Sequence, residues 1–336
     1  MKMKQLENKL HILEILKERA VQKGGKIVLP EAQDERALCA AAMIVKDKLA
    51  EVVLLGDVQK TQSLAAEKGI DLGGCELLNP SQSPRLEEYA QAFYEKRKEK
   101  GISYEQALAT LKNPLFYGAM LVKNKLASGM VAGAANTTAD VLRAALQVVG
   151  VMPGLKTVSS TFIMVSPREN ETTYLYSDCA VVPNPTDEQL ADIATSTAFT
   201  RRAILGDEPR VALLSFSTLG SAKHELVEKV RSAKAILSER KVDFAFEGEL
   251  QLDAAIVESV AKSKAPNSSV AGKANTLIFP DLQSGNIGYK LTQRLAGYEA
   301  IGPIIQGLAA PICDLSRGCS IQDIYNTAIL VLLMSK

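Results

Sequence analysis

The alternation of short Val- and Ile-rich runs with longer segments of helical periodicity is the feature that most constrains how this chain can fold. The runs lie at residues 26–30, 51–56, 130–133, 210–216, 242–247 and 274–280. Alternation of this kind is typical of mainly parallel sheets with helices on both faces. The chain has 336 residues, which is enough for about two domains. We therefore predict an α/β protein with two domains.

Two breaks indicate where the domains divide. The runs TVSSTFIMV and YLYSDCAVVP, joined by the polar turn SPRENETT, predict an antiparallel hairpin within residues 157–182. The break Met152-Pro153-Gly154 precedes this hairpin, and a second break falls at Gly302-Pro303. The prediction is a first domain of residues 1–153 plus 304–336, which includes a final helix over 320–333, and a second domain of residues 154–303.

Composition excludes several classes of protein. Thirty-nine basic and 38 acidic residues leave a net charge of +1, so no broad field exists for a nucleic acid or an anionic membrane. The apolar run 328–334 is far shorter than the roughly 20 residues of a membrane helix, and residues 1–20 form an amphipathic pattern unlike an export signal. Five cysteines without CxxC spacing favour a reducing compartment, and two histidines disfavour a zinc site. We expect a cytoplasmic protein that binds no metal.

Three turns rich in small residues, each running from a predicted strand toward a predicted helix, are candidate anion sites. No P-loop and no GxGxxG motif follows a candidate strand, so the two commonest nucleotide cradles are missing. The first turn, 131–138, contains Gly133, and its Thr137 begins a capping signal with Asp140; the others are 217–223 and 311–320. Small side chains would let an anion reach the backbone N–H groups. Each pattern also fits a tight strand-to-helix turn without a ligand.

The third turn, PICDLSRGCS, is the most polar of the three. Ser316, Arg317, Gly318 and Cys319 place a hydroxyl, a guanidinium, a glycine and a thiol in four consecutive positions. Such a combination is typical of a binding site. Asp323 follows Ser320 by three residues, so it could cap the final helix or act as a catalytic carboxylate. The pattern leaves both roles open.

Six longer motifs resemble phosphate acetyltransferases. They occur in order over essentially the whole chain: PEAQDERAL, GMVAGAANTTADVLR, LLSFSTLGSAK, FEGELQLDAAI, SSVAGKANTLIFPDLQSGNIGYKLTQRLA and GPIIQGLAAPICDLSRGCS. The resemblance implies a fold similar to that of the isocitrate and isopropylmalate dehydrogenases, with a cleft between two α/β domains, in a homodimer. It also implies the reversible reaction of acetyl-CoA and phosphate to acetyl phosphate and coenzyme A, without a metal or redox cofactor.

The same resemblance implies roles for individual residues. It places Ser316 and Arg317 at the reacting centre and Asp323 at the position of the general base. It assigns substrate and coenzyme A binding to three arginines, namely Arg36, Arg97 and Arg143. We expect the matching turns to contribute three further binding residues, namely Gly133, Thr137 and Cys319. The chain departs from the common family pattern at three positions, which leaves its acyl-chain preference and coenzyme affinity open: Ala144, Ala310 and Cys313.

Three rival functions remain to be weighed. Phosphate butyryltransferase shares the chemistry with a larger acyl pocket, but chain length and the DLSRGCS loop favour the acetyl enzyme. A metal-dependent dehydrogenase of 2-hydroxy acids would need a nicotinamide site and a carboxylate triad, which the sequence does not offer. A catalytically silent binding protein is disfavoured because Ser316, Arg317 and Asp323 are all present.

Two mechanisms are compatible with the DLSRGCS loop. Cys319 could form an acetyl-enzyme, or Asp323 could deprotonate the coenzyme A thiol for direct attack within a ternary complex. No histidine lies near Cys319 in the sequence to activate it, so we predict the direct attack.

Overall fold

The computed structural model describes the backbone of residues 2–168 and 171–336, and the side chains from residue 12 onward within these ranges. The described residues form thirteen α-helices: α1 (Lys2–Lys23), α2 (Glu35–Lys46), α3 (Val58–Lys68), α4 (Leu86–Arg97), α5 (Tyr104–Leu111), α6 (Pro114–Lys123), α7 (Thr138–Val148), α8 (Asp187–Ile204), α9 (Glu225–Glu239), α10 (Leu252–Ile256), α11 (Glu258–Lys264), α12 (Leu282–Arg294) and α13 (Ile321–Met334).

The same residues form eleven strands: β1 (Lys26–Leu29), β2 (Glu51–Leu55), β3 (Cys75–Leu78), β4 (Gly129–Ala132), β5 (Ser159–Val165), β6 (Tyr174–Ser177), β7 (Arg210–Leu214), β8 (Ala245–Leu250), β9 (Thr276–Ile278), β10 (Glu299–Gln306) and β11 (Ile312–Asp314). Helices and strands alternate along most of the chain, and the strands fall into two separate sheets. The predicted α/β class is confirmed.

The chain divides into two compact units. The site unit comprises Ile15–Met152 and Leu308–Lys336, and the hairpin unit comprises Pro153–Gly307 with the N-terminal residues up to Glu14. The prediction had placed residues 304–307 and the N-terminal segment in the other domain. At the second boundary the reason is visible, because β10 continues through Gly302-Pro303 and pairs with β5 as far as Gln306.

The site unit contains a five-stranded sheet in the order β11-β4-β1-β2-β3, in which every pairing is parallel. Its central strand β1 is apolar and buried from Ile27 to Leu29, as expected for a strand covered by helices on both faces. Helix α13 returns to this sheet and buries Leu330, Val331 and Leu332. Because β11, β4 and β1 are neighbours and run in the same direction, the loops that follow them meet at one edge of the sheet.

The hairpin unit contains a six-stranded sheet in the order β10-β5-β6-β9-β7-β8. β5 pairs antiparallel with both β6 and β10, whereas the other pairings are parallel. The predicted antiparallel hairpin is confirmed, although its second strand ends at Ser177. Two residues of the predicted turn, Glu169 and Asn170, lie outside the described residues. Within the described part of the chain, no helix has the combination of length and apolar character that crossing a lipid bilayer requires.

Candidate active site

Apart from Arg97 and Arg143, the sequence-predicted site residues of the site unit lie around the carboxyl ends of β1, β4 and β11. From β1 the chain moves to β2 on one side, whereas β4 pairs on the opposite side of β1. Such a reversal of strand order opens a crevice at the carboxyl ends of the strands, where α/β proteins commonly bind ligands. The loops after these three strands are therefore the expected place for a ligand site.

The buried carboxylate of Glu31 fills the crevice between β1 and β4. Its Oε1 accepts hydrogen bonds from the backbone N–H groups of Gly133 (3.1 Å), Ala135 (3.0 Å) and Asn136 (2.8 Å) and from the Asn136 side chain (2.7 Å). Its Oε2 accepts from the N–H of Ala134 at 2.8 Å. These are the donors that we expected an anionic ligand to use. The N–H of Gly133 thus has a partner within the chain, and the assignment of Gly133 to substrate binding stays a prediction.

Gly133 is required by the close approach of two loops. Its φ of +106° lies in a region that side-chain-bearing residues rarely adopt. A Cβ at this position would also lie 2.5 Å from Asp314 Oδ1 and 2.6 Å from the backbone nitrogen of Leu315. The glycine thus lets the loop after β4 pack directly against the start of the loop after β11.

The reacting loop, which we define as residues 315–320, forms a tight turn after β11. The N–H of Cys319 donates to the carbonyl oxygen of Ser316 at 2.8 Å, and the N–H of Gly318 donates to the Ser316 hydroxyl at 3.2 Å. Ser316 and Arg317 are exposed. The Arg317 guanidinium has no hydrogen bond or ion pair within the described part of the chain. An exposed cation without an internal partner is available to an anionic substrate.

Arg36, in the first turn of α2, joins the loops after β4 and β11. Its Nε and Nη2 donate to the two carboxylate oxygens of Asp34 at 3.0 and 2.7 Å. Nη2 also donates to the carbonyl oxygen of Ala134 at 2.7 Å, and Nη1 donates to the carbonyl oxygens of Arg317 and Cys319, both at 2.8 Å. The structure therefore brings Arg36 into the site, but as a residue bonded to protein groups.

Asp323 caps α13 in a reciprocal arrangement with Ser320. The Ser320 hydroxyl accepts from the N–H of Asp323 at 3.1 Å, and Asp323 Oδ2 accepts from the Ser320 N–H at 2.9 Å and from its hydroxyl at 2.8 Å. The predicted capping signal is confirmed. The side chain is nevertheless exposed, and its Oδ1 accepts no hydrogen bond from any described residue.

The residues at the N-terminus of α7 make only internal contacts. Thr137 caps this helix by accepting from the N–H of Asp140 at 3.2 Å. Its neighbour Thr138 donates its hydroxyl to Oδ2 of the buried Asp314 at 2.6 Å, whereas Asp314 Oδ1 has no hydrogen-bond partner in the described part of the chain. Burial raises the pKa of Asp314 to about 6, with a smaller contribution from the charge of Glu31. Asp314 is a site-unit carboxyl that the sequence analysis did not single out.

Cys319 lies within the reacting loop, and its surroundings favour the protonated form of its thiol. The residue is 7% exposed, and its Sγ lies 3.8 Å from Arg36 Nη1. Burial raises the pKa of the Cys319 thiol, although the Arg36 guanidinium acts in the opposite direction. Because the thiolate is the nucleophilic form, this environment does not favour attack by Cys319.

Arg143 and Arg97 lie away from the reacting loop. Arg143 is exposed on α7, where it forms a 2.8 Å ion pair with Asp140. Arg97 ends α4 and has no hydrogen bond or ion pair with any described residue. The preceding residue, Lys96, donates to the carbonyl oxygen of Val148 at 2.7 Å, which places this end of α4 at the end of α7 opposite Thr137. An eleven-residue helix is about 16 Å long. Arg97 therefore lies near the C-terminal end of α7, whereas Arg143 lies on α7 itself.

The second candidate turn, in the hairpin unit, also contains an internal carboxylate. Glu249 is 1% exposed, and its Oε1 accepts from the Ser217 hydroxyl at 2.8 Å and from the N–H of Gly220 at 2.7 Å. This turn therefore satisfies its donors without a ligand. Among the described residues, no group of three or more His, Cys, Asp or Glu side chains is placed to hold a metal ion.

The departures from the common family pattern occupy packing positions. Ala144 on α7 and Cys313 on β11 are completely buried, and Ala310 is half-buried before β11. The structure thus gives the first two a place in the core of the site unit.

The fold and the site define a class of α/β protein with exposed arginine side chains and a helix-capping carboxylate at the carboxyl edge of a parallel sheet. The chain belongs to one family within this class: residues 11–332 match the family described as "Phosphate acetyl/butaryl transferase". It is 51% identical over 321 residues to a phosphate acetyltransferase from Thermoanaerobacterium thermosaccharolyticum, covering 94% of this chain and 97% of that protein.

Solved structures agree with the assignment. A phosphotransacetylase from Streptococcus pyogenes is 44% identical, with a TM-score of 0.90 over 96% of this chain and 97% of that one. A putative 4-hydroxythreonine-4-phosphate dehydrogenase from Salmonella typhimurium has a TM-score of 0.55 at 11% identity, covering 93% of this chain and all of that one. The second similarity is one of fold alone, and it supports the expected relation to a dehydrogenase-like fold.

Proposed function

We propose that this chain transfers an acetyl group reversibly between coenzyme A and inorganic phosphate. The observation that carries the proposal is the reacting loop with the start of α13. Here the exposed Ser316 hydroxyl and the Arg317 guanidinium are followed by Asp323, and neither this guanidinium nor Asp323 Oδ1 has a hydrogen-bond partner among the residues that the structure describes. Membership of the family and the similarity to phosphate acetyltransferases support the same activity.

In the proposed reaction, Asp323 acts as the base for the coenzyme A thiol. A thiol pKa near 8.5 leaves only about a few per cent thiolate at neutral pH, so the reaction benefits from a base. Asp323 Oδ1 takes the proton from the coenzyme A thiol, and the sulfur attacks the carbonyl carbon of acetyl phosphate in a ternary complex. The new S–C bond forms as the C–O bond to phosphate breaks, and phosphate leaves with the electron pair. In reverse, a phosphate oxygen attacks the thioester and Asp323 returns the proton to sulfur.

Arg317 and Ser316 stabilise charge that develops during this transfer. Negative charge accumulates on the carbonyl oxygen and on the departing phosphate, and a guanidinium fork matches the geometry of phosphate oxygens. The Ser316 hydroxyl can donate a further hydrogen bond. Acyl transfer between a thiol and phosphate moves no electrons to an external acceptor, so we propose a reaction without a redox cofactor. As the resemblance implies, we also propose that the reaction needs no metal and that coenzyme A is a substrate.

Arg97 and Arg143 suit the distant phosphates of coenzyme A. These phosphates lie far from the thiol of the extended coenzyme, so cations away from the reacting loop are required to bind them. The ion pair of Arg143 with Asp140 is exposed, and such surface pairs are worth at most about 1 kcal/mol, so a phosphate can compete for this guanidinium.

We also propose that the chain works as a cytoplasmic homodimer, as the resemblance implies. The outer face of α12 and its C-cap residue form an apolar stripe in which Ile287, Leu291 and Leu295 are 56%, 51% and 80% exposed. Their spacing of four residues places them on one face of the helix, and stripes of this kind are commonly buried between subunits. All five cysteines are free thiols in the structure, in keeping with a reducing compartment. Light scattering that finds a stable and active monomer would contradict the pairing.

One assay tests the function. Purified protein should release a free thiol from acetyl-CoA only when inorganic phosphate is present, with one acetyl phosphate formed per thiol. Release without phosphate would indicate a thioesterase and overturn the proposal. The same assay with butyryl-CoA separates the two activities of the family, and a clear preference for the butyryl substrate would reject the acetyl assignment.

A further inference from the structure

The hydrogen bonds of Arg36 account for every donor that this side chain possesses. A guanidinium carries five N–H groups, one on Nε and two on each terminal nitrogen. Here the five acceptors within 3.0 Å are the two oxygens of Asp34 and the carbonyl oxygens of Ala134, Arg317 and Cys319. A phosphate group could bind Arg36 only by displacing one of these acceptors.

The charge of Arg36 is also balanced inside the protein. Asp34 pairs with it through two parallel hydrogen bonds, and this contact lowers the pKa of Asp34. Asp34 is itself fixed, because it caps α2 by accepting from the backbone N–H of Arg36 at 2.9 Å. The pair is therefore anchored to the start of a helix, and little net positive charge remains for an external anion.

The two carbonyl oxygens that Arg36 holds flank Gly318 in the reacting loop. One of them belongs to Arg317, so the backbone from which the Arg317 side chain projects is fixed by this contact. The bond to Ala134 connects the same guanidinium to the turn that Glu31 fills. Arg36 thus links the reacting loop to the turn after β4, whose N–H groups are held by Glu31.

We propose that Arg36 is a positioning residue, which sets the geometry of the reacting loop through the carbonyl oxygens of Arg317 and Cys319 and contacts neither phosphate nor coenzyme A. This inference rests on the proposed function for its kinetic consequence and departs from the binding role that the resemblance implies. Misplacement of a reacting group by about 1 Å can cost about 100-fold in rate. Loss of the hydrogen bonds from Arg36 to the reacting loop should therefore lower kcat more than it changes KM.

Two substitutions separate positioning from direct binding. Arg36→Lys keeps the positive charge but loses the fork, and Asp34→Asn keeps a good helix cap but removes the paired charge. Positioning predicts that each variant lowers kcat by about tenfold or more, while KM for coenzyme A and for phosphate changes little. It also predicts that the double variant is hardly worse than the poorer single one, because both act on one unit.

Direct binding predicts a different pattern for the same variants. Arg36→Lys would then raise KM for coenzyme A or phosphate with kcat preserved, and Asp34→Asn would lower KM because it frees the guanidinium charge. Either result would overturn the proposal. Arg202→Lys is a matched control, since Arg202 forms ion pairs with Glu208 and Asp243 in the hairpin unit, and it should leave both constants unchanged.

A second readout does not depend on activity. Cys319 is 7% exposed and Cys179 is completely buried in the hairpin unit. If Arg36 holds the reacting loop, Arg36→Lys and Asp34→Asn should each raise the rate at which a small maleimide labels Cys319, measured by peptide mass spectrometry, with Cys179 unchanged. Unchanged labelling of Cys319 in both folded variants would refute the positioning role. Because the wild-type phosphate assay tests the proposed function separately, failure of that function and failure of this inference are distinguishable.

Discussion

Asp323 makes both of its side-chain hydrogen bonds with Ser320 through a single carboxylate oxygen. Oδ2 accepts from the Ser320 N–H and hydroxyl, whereas Oδ1 has no partner among the described residues. Capping therefore leaves Oδ1 for the proton transfer that we propose. The two roles that the sequence leaves open for Asp323 are compatible in one side chain.

Asp323→Asn tests the catalytic half of this arrangement. We expect kcat to fall by about 10²- to 10⁴-fold, the usual contribution of a general base, with little change in thermal stability because the amide oxygen can still accept the capping bonds. Ser320→Ala is the comparison. It should lower the free energy of unfolding by about 1 kcal/mol and should lower kcat much less than Asp323→Asn does. Near-normal turnover of Asp323→Asn would leave this residue with a structural role only.

Arg317→Ala should lower turnover much more than ground-state binding. The charge of this guanidinium is needed most where negative charge develops, so kcat should fall by about 100-fold or more. Arg317→Lys should recover only part of the loss, because a point charge does not reproduce the bidentate fork. Steady-state kinetics with varied phosphate would contradict this role if Arg317→Ala raised only KM.

Cys319→Ala should keep more than about a tenth of the wild-type kcat, because no covalent step is lost. Burial of the thiol, which raises its pKa, is the physical reason to expect no acetyl-enzyme. Rapid quenching followed by mass spectrometry should find no acetylated Cys319. An acetylated thiol that forms and decays at the rate of turnover would replace direct attack with a two-step mechanism.

Asp314→Asn should change the pH dependence of stability in a defined direction. With a native pKa of about 6 against an ordinary value of 3.8, the native protein binds a proton that the unfolded chain has lost, so this group destabilises the native state as pH rises from about 4 to 6. A shift of about two units corresponds to about 3 kcal/mol. Relative to wild type, the variant should therefore gain unfolding free energy between pH 4 and pH 7.

The comparison with wild type is essential in that experiment, because other carboxyls act in the opposite direction. The pKa of Asp34 is lowered by its contact with Arg36, so the stability that it contributes is lost as pH falls through its lowered pKa. Urea unfolding of both proteins at matched pH values removes this shared background. A difference between them that stays constant from pH 4 to 7 would show that Asp314 is not the responsible group.

The buried strands could be predicted from sequence because hydrophobic patterning is local. The runs near β1, β2, β4, β7 and β9 are apolar and short. The edge strand β3 was missed because its sequence CELL is only partly buried. β10 was missed because its glycine and proline indicate a break, whereas the strand passes through them with a shift in register.

The candidate site could be predicted in part. The polar loop and the capping signal are visible as continuous motifs, but Glu31 is not, since a single glutamate after a strand has the pattern of a surface residue. Its hydrogen-bond partners at 133–136 are about a hundred positions away, and only the order of the strands brings them together. The contacts of Arg36 with Arg317 and Cys319 could not be predicted for the same reason, because these residues lie 281 and 283 positions after Arg36 in the sequence.

Glu31 has a consequence for how this enzyme responds to its supply of substrate. When a free ligand accepts the hydrogen bonds of a turn, the stability of the folded turn increases with the logarithm of the ligand concentration. That stability is lost when the ligand is scarce. Here the anion is covalently part of the chain, so these donors are satisfied at any phosphate concentration. The turn after β4 is therefore ordered before any substrate binds, and a substrate that binds the native protein elsewhere adds stability by mass action without supplying the hydrogen bonds of this turn.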